Sequence, residues 1–316
     1  MIVFKFGGKS LSSKEKMLNI CKYIQQCLPK GKIIVVVSAM GNSTNNLLEL
    51  ANSYANNNIP LRELDVLLST GETQSASLMA IMLNSMGMSA ASMQGWQAEI
   101  KTMGKHGQSV IVGINKSSIL QKLNNFDVVV VTGFQGVDNN GNVTTLGRGG
   151  SDTTAVALGA VFGCPVEIYS DFDGVFAGDP AHLNFKKFDN IDYDFMQDMS
   201  NNGAKVLSSS SVDMAKQANV NVVCKQSAYP QKSGTHISNV PFPCIALTTT
   251  DNLCEINVLY NGDKHFMQKT AKYVANNVKY HKFCAESNKI TLLIDKTCKQ
   301  SVILKIAEIN HLLEDE

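Results

Sequence analysis

Short runs of unbroken apolar residues recur along this chain, with amphipathic stretches between them. Runs rich in Val and Ile, or in aromatics, occupy 2–6, 32–37, 127–132, 166–169 and 219–224, each bounded by Gly, Asn, Ser or another turn former. A strand that is apolar at nearly every position is covered on both faces, so these runs predict buried strands. Between them, 45–56, 72–86, 151–163 and 212–217 carry helical spacing. Strand alternating with helix predicts an α/β chain with a mostly parallel central sheet between layers of helices, and ligands then gather at the carboxyl ends of the strands. Those ends hold the unusual residues: Gly7-Gly8, Ser38, Gly133 with Gly136, and Ser170-Asp171.

One hairpin interrupts the alternation. Its Asn140-Gly141 pair predicts a tight turn with positive φ at both central residues. After Pro241-Phe242-Pro243 the pattern changes to a strand at 254–260, a helix at 264–276, strands at 278–285 and 289–295 and a helix at 300–313. This β-α-β-β-α order has the size of a minor domain. A boundary near Thr248 divides the 316 residues into 1–247 and 248–316.

Charge narrows the partners. The 28 Lys and Arg against 27 Asp and Glu leave no field to attract nucleic acid or an anionic membrane, so an anionic ligand must be held by a local cluster. Eight scattered cysteines without a C-x-x-C pair predict free thiols in a reducing compartment. No leader pattern opens the chain, and no apolar run approaches the roughly 20 residues of a membrane span. The expectation is a cytoplasmic protein.

The candidate chemistry begins at Gly7-Gly8-Lys9-Ser10. A phosphate-binding P-loop, G-x-x-x-x-G-K-[ST], requires a glycine at position 3, where Val3 stands within a strand, so this is not a P-loop. Gly147-Arg148-Gly149-Gly150-Ser151-Asp152 is more informative. Its glycines let backbone N–H groups approach an anion, the following helix turns its positive end to the same place, and Arg148 offers a planar fork for a carboxylate or phosphate. Ser151 and Asp152 serve equally as helix caps. Ser170-Asp171-Phe172-Asp173-Gly174 continues to Asp179-Pro180 and suits either a solvated acidic turn or a rim for nucleotide and Mg²⁺. Gly71-Glu72 opens a helix, where a Glu ordinarily serves the dipole. Lys205 reads as an exposed lysine, and Trp96, His106 and the Met-rich 79–88 read as packing and surface.

Taken in order, Lys5-Phe6-Gly7-Gly8, Val37-Ser38-Ala39-Met40-Gly41 with Thr44 and Asn45, Gly71-Glu72, Thr132-Gly133-Phe134, 145–152, 170–180 and 203–207 resemble aspartate kinase, within the amino-acid kinase superfamily. The resemblance covers about the first 245 residues. It implies a three-layer α/β catalytic domain, transfer of the γ-phosphoryl group of ATP to the β-carboxylate of L-aspartate with Mg²⁺, and a homodimer. Carried over by position, Ser38, Thr44, Glu72, Arg148, Gly149, Gly150 and Ser151 form the aspartate site. Glu72 faces the substrate ammonium and Arg148 a carboxylate. Lys5, Gly7, Gly8, Lys9, Ser170, Asp171, Phe176, Lys205 and Val206 form the nucleotide side. Lys5, Arg148 and Asp152 are the catalytic set; no metal ligands are assigned.

The sequence departs from the family's pattern at four places: Lys9 for a usual Thr, Ala181 for a usual phosphate-contacting Arg, Phe176 for a frequent Tyr, and Ser208-Ser209 for His-Pro. These bear on ATP handling, and Lys9 is the cation expected to compensate for Ala181. Residues 248–316 resemble a single ACT-like regulatory module short of its final strand, where the family commonly carries two. A kinase of another carboxylate amino acid and a catalytically weak regulatory homologue are the alternative readings.

Overall fold

The apolar runs are strands and the amphipathic stretches are helices. In chain order the elements are β1 (Ile2–Phe6), α1 (Lys14–Cys27), β2 (Ile33–Val37), α2 (Ser43–Ala55), α3 (Leu61–Ser85), β3 (Ala90–Met93), β4 (Ile100–Met103), β5 (Val110–Ile114), α4 (Lys116–Asn125), β6 (Val128–Thr132), β7 (Gln135–Val137), β8 (Val143–Thr145), α5 (Gly150–Phe162) and β9 (Val166–Ser170). There follow β10 (Asn190–Asp192), α6 (Tyr193–Asn201), α7 (Ser209–Ala218), β11 (Val222–Gln226), β12 (Thr235–Ser238), β13 (Cys244–Thr249), β14 (Glu255–Asn261), α8 (Lys264–Asn277), β15 (Lys282–Ala285), β16 (Lys289–Leu293) and α9 (Lys299–Ile309). This computed structural model describes residues 1–55, 58–250, 255–262 and 264–314. Asn56, the last position of the expected helix 45–56, and Cys254, the first of the expected strand 254–260, lie outside the described residues.

The chain divides into two units, Met1–Asp173 with Asp213–Gly234, and Gly174–Val212 with Thr235–Glu316. In the first, six strands run parallel in the order β11-β9-β1-β2-β6-β3. Strands β2 and β6 are buried at all five positions each, which is why they carry no polar alternation. On one face Phe4, Phe6, Val35 and Tyr169 pack against Met17 and Ile20 of α1 and Met79 and Leu83 of α3. Each such side chain, fully buried, contributes roughly 1.5–3 kcal/mol, so the strand ends are rigidly placed. Because side chains alternate along a strand, Lys5 points to the opposite face, where α5 packs. A second sheet in the same unit has the order β5-β4-β7-β8.

In the second unit β13-β14-β16-β15 form an antiparallel sheet. Ile256, Val258, Ile290 and Leu292 from this sheet pack with Val274 of α8 and Ile303 and Ile306 of α9. Strands β10 and β12 pair in parallel in the same unit. The expected β-α-β-β-α order is met, with an addition: β13, which runs through position 248, supplies a fourth strand beside β14.

Three local expectations are corrected. Helix α3 begins at Leu61, directly after Pro60, so Gly71-Glu72 lies inside it rather than at its start, and Glu72 serves no N-terminal dipole. Residues 219–221 precede β11 instead of belonging to it, because Asn219 takes a positive φ of 50° as the chain leaves α7. The β7–β8 hairpin is a five-residue connection in which only Gly141, at φ 81°, is left-handed. Asp138 N–H donates to Asn142 O across its base, so the pairing begins wider than a two-residue turn.

Candidate active site

The first site residues follow β1. Gly7 leaves the strand extended, its N–H donating to Tyr169 O, and 8–11 form a 3₁₀ turn rather than a phosphate-wrapping loop. The two glycines differ in kind. A Cβ on Gly7 would meet nothing nearer than Lys5 Nζ at 3.7 Å, whereas on Gly8 it would lie 2.4 Å from the carbonyl oxygen of Ala39. Gly8 is therefore fixed by a close backbone crossing, which its own carbonyl secures by accepting from Gly41 N–H at 2.9 Å. Gly8→Ala should lower stability by about 1–3 kcal/mol through this overlap, and Gly7→Ala by much less. Thermal unfolding of the two variants checks this; equal losses would show that the crossing is not what requires glycine.

Lys5, 8% exposed in the middle of the sheet, reaches the first turn of α5, where its Nζ lies 2.5 Å from Asp152 Oδ1. The helix that carries Asp152, α5, starts at Gly150, with Gly149, left-handed at φ 74°, at its N-cap, and no side chain caps it. Ser151 and Asp152 are thus inside the first turn, and the capping role open to them in the sequence is not theirs. Gly133 lets the end of β6 pass under this turn: a Cβ there would lie 2.8 Å from the Ser151 Cβ. Phe134, next to it, holds a positive φ of 70°, its N–H donating to Thr154 Oγ1 at 3.2 Å. A bulky residue in that region stores strain of order 1–3 kcal/mol, as backbones beside functional sites often do.

Glu72 is the least ordinary carboxylate here. It is 3% exposed, Oε1 accepts from Ala39 N–H at 2.9 Å, and Oε2 is buried without a hydrogen-bond partner among the described residues. Burial pushes its carboxyl up to about 7, against a lesser pull downward from the Ala39 N–H. An acceptor oxygen left open in a dry place suits a cation such as an ammonium group. Ser38 directly follows β2 and precedes Ala39, and Thr44 stands in the first turn of α2. Arg148 is exposed on the glycine loop and forms no ion pair among the described residues.

At the end of β9, Ser170 O accepts from Ser227 N–H, and Ser170 Oγ accepts from Phe172 N–H. Asp171 Oδ2 lies 3.5 Å from Lys9 Nζ, both exposed, a pair worth little in solvent. Phe176, Lys205 and Val206 belong to the second unit, where Phe176 bridges Lys187, Lys205 is exposed and Val206 is half-buried. Within the first unit the structure therefore brings together Lys5 with Asp152, Ala39 with Glu72, Gly133 with Ser151, and Lys9 with Asp171. It also pairs a residue that the sequence patterns do not single out, Asp65, with His106, which those patterns assign to packing or surface. The signal available was Asp65, Leu68, Glu72 and Ala76 on one helical stripe, with two carboxylates among apolar neighbours.

The chain is similar to known proteins in sequence and in fold. The model of the amino acid kinase family matches residues 1–226. An aspartokinase of Bacillus sp. (strain MGA3) is 42% identical over 240 residues, 75% of this chain and 58% of the relative, and one of Geobacillus stearothermophilus is 44% identical over 223 residues, 70% and 54%. The chain thus spans little more than half the length of these curated relatives. Among solved structures, Escherichia coli aspartokinase III in complex with aspartate and ADP superposes with a TM-score of 0.70 at 22% identity, over 98% of this chain and 84% of that one. Uridylate kinase from Archaeoglobus fulgidus gives 0.55 at 16% identity, covering 75% of this chain and 99% of that one. These likenesses carry the fold.

Proposed function

We propose that this chain, which belongs to the amino acid kinase family, transfers the γ-phosphoryl group of ATP to the β-carboxylate of L-aspartate, giving 4-phospho-L-aspartate and ADP. The observation that carries the reading is the open, buried Oε2 of Glu72 beside Ala39, an anionic acceptor suited to an amino acid's ammonium. Similarity to aspartokinases at 42–44% identity supports the choice of aspartate among such acids.

A side-chain carboxylate, with a pKa near 4 in water, arrives ionised at neutral pH and needs no general base. One of its oxygens forms the new P–O bond as the bond from Pγ to the bridging oxygen of ADP breaks, and no proton is transferred. The protein's task is then to position the acceptor and offset charge on the phosphoryl oxygens. Glu72 and Arg148 do the first, holding ammonium and carboxylate. Lys5, aligned by Asp152, does the second, with the N–H group of Gly8, that of Gly7 being engaged by Tyr169 O. Among the described residues no group of three His, Cys, Asp or Glu side chains could hold a metal alone. Mg²⁺ bound through phosphates and one or two carboxylates requires no such group, and Asp171 is the exposed carboxylate suited to it. When bound, the ion neutralises phosphate charge.

ATP-dependent acyl-hydroxamate formation across a panel of carboxylate amino acids tests the proposal. Signal with aspartate alone is expected; signal with another acid, or none from folded protein, overturns it. Glu72 adds a pH test. The ammonium of aspartate binds the ionised carboxylate, whose fraction rises across a folded pKa of about 7. The aspartate KM should therefore fall by about tenfold from pH 6 to pH 8, and Glu72→Gln should abolish that slope. A wild-type aspartate KM flat across this range would remove Glu72 from ammonium recognition.

A further inference from the structure

Seven residues before Glu72, on the same buried face of α3, stands a second carboxylate that the proposed reaction does not use. Asp65 is 1% exposed, and three donors surround it. His106 Nδ1 lies 2.7 Å from Oδ2, which also accepts from Gly107 N–H at 3.1 Å, while Oδ1 accepts from Thr145 Oγ1 at 2.5 Å. A buried carboxylate is costly unless its donors are all present, and an apolar residue would fill the space for packing alone.

The three bonds join three segments: α3, the turn at 105–108 between β4 and β5, and the end of β8. All three bear on the loop that carries Arg148. Thr145 O accepts from Ser109 N–H at 2.9 Å, and Leu146 N–H donates to Phe134 O at 2.9 Å. Gly147, left-handed at φ 75°, comes so near the turn that a Cβ on it would lie 3.1 Å from Gly107 O. Helix α3 holds the same hairpin twice more, through Arg62 Nε to Asn142 Oδ1 and through Ser69 O, which accepts from Gln135 Nε2, both at 2.9 Å. Asp65 and Glu72 are two helical turns apart, about 10 Å along a rigid axis.

We infer that Asp65, acting through His106, Gly107 and Thr145, is a positioning residue that sets the Gly147-Arg148 loop at a fixed distance from Glu72, so that one helix spaces the two charges recognising the acceptor. The inference rests on the aspartate kinase reading for its kinetic consequence and on the hydrogen bonds alone for its structural one. Asp65→Asn places a donor where the carboxylate accepted, and His106→Leu removes a donor. His106→Asn keeps a side-chain amide donor near the position of Nδ1.

Two measurements on the full chain test it: steady-state kinetics with aspartate and ATP, and the rate of tryptic cleavage after Arg148, followed by mass spectrometry. Asp65→Asn and His106→Leu should each raise the aspartate KM by about tenfold or more, since small misplacement of a positioning group is costly, and leave the ATP KM within about twofold. Both should speed cleavage after Arg148, and His106→Asn should restore both readouts towards wild type. Folded variants with unchanged aspartate KM and unchanged cleavage overturn the inference, as does an equal rise in both KM values. If Asp65→Asn does not fold, the two His106 variants decide. If wild-type protein does not phosphorylate aspartate, the functional reading fails while the cleavage rates still judge the loop.

Discussion

Replacing Glu72 by Gln is expected to raise the aspartate KM by about 10²–10³-fold and to leave the ATP KM within about twofold. The size follows from removing one member of a buried, hydrogen-bonded charge pair, which typically costs 2–5 kcal/mol. The asymmetry follows from where Glu72 stands, with one oxygen on the Ala39 N–H and the other open and dry. The same substitution should make the free protein more stable at pH 8. A carboxylate whose folded pKa is raised from 4.5 to about 7 holds its proton more tightly in the folded state. Stability contributed by that proton is lost as pH rises across this window, and above 7 the ionised group costs on the order of 3 kcal/mol. Gln removes the charge and keeps an oxygen for Ala39. A rise in melting temperature together with a collapse of aspartate affinity is therefore the expected pair. A fall in both would make Glu72 a structural acid and remove the main support for an amino-acid acceptor.

The sequence made some of this legible and not the rest, for reasons that particular residues show. β2 and β6 could be read because a strand buried on both faces needs apolar side chains throughout. The start of α3 could not, because 64–68 is as apolar as a short strand; Pro60 at the N-cap was the only local sign. The fourth strand of the small sheet was missed because β13 pairs with β14 from the far side of the expected boundary. In the site, Lys5, Glu72 and Asp152 stand in recognisable local stretches. Asp65 does not: its partners His106 and Thr145 lie 41 and 80 residues away, and only the folded hairpins bring them to it. Lys9 was expected to serve the nucleotide and is found 3.5 Å from Asp171, a loose exposed pair that a phosphate could readily displace.

Lys5→Met is expected to lower kcat by about 10²–10³-fold with little change in the aspartate KM, the scale seen when one preorganised donor to transition-state charge is lost. Methionine keeps much of the stem's packing but leaves Asp152 without its cation 2.5 Å away, so stability should also fall. That fall could by itself mimic a catalytic defect, and the double substitution with Asp152→Asn separates the two effects. Neutralising Asp152 removes the stranded charge, so Lys5→Met with Asp152→Asn should recover most of the lost melting temperature. It should not recover kcat, because the cation facing the phosphoryl oxygens is still missing. A double-mutant cycle would then show strong coupling in stability and weak coupling in rate. If the double variant regains both, Lys5 acts only as the partner of Asp152, and charge stabilisation must come from elsewhere in the chain.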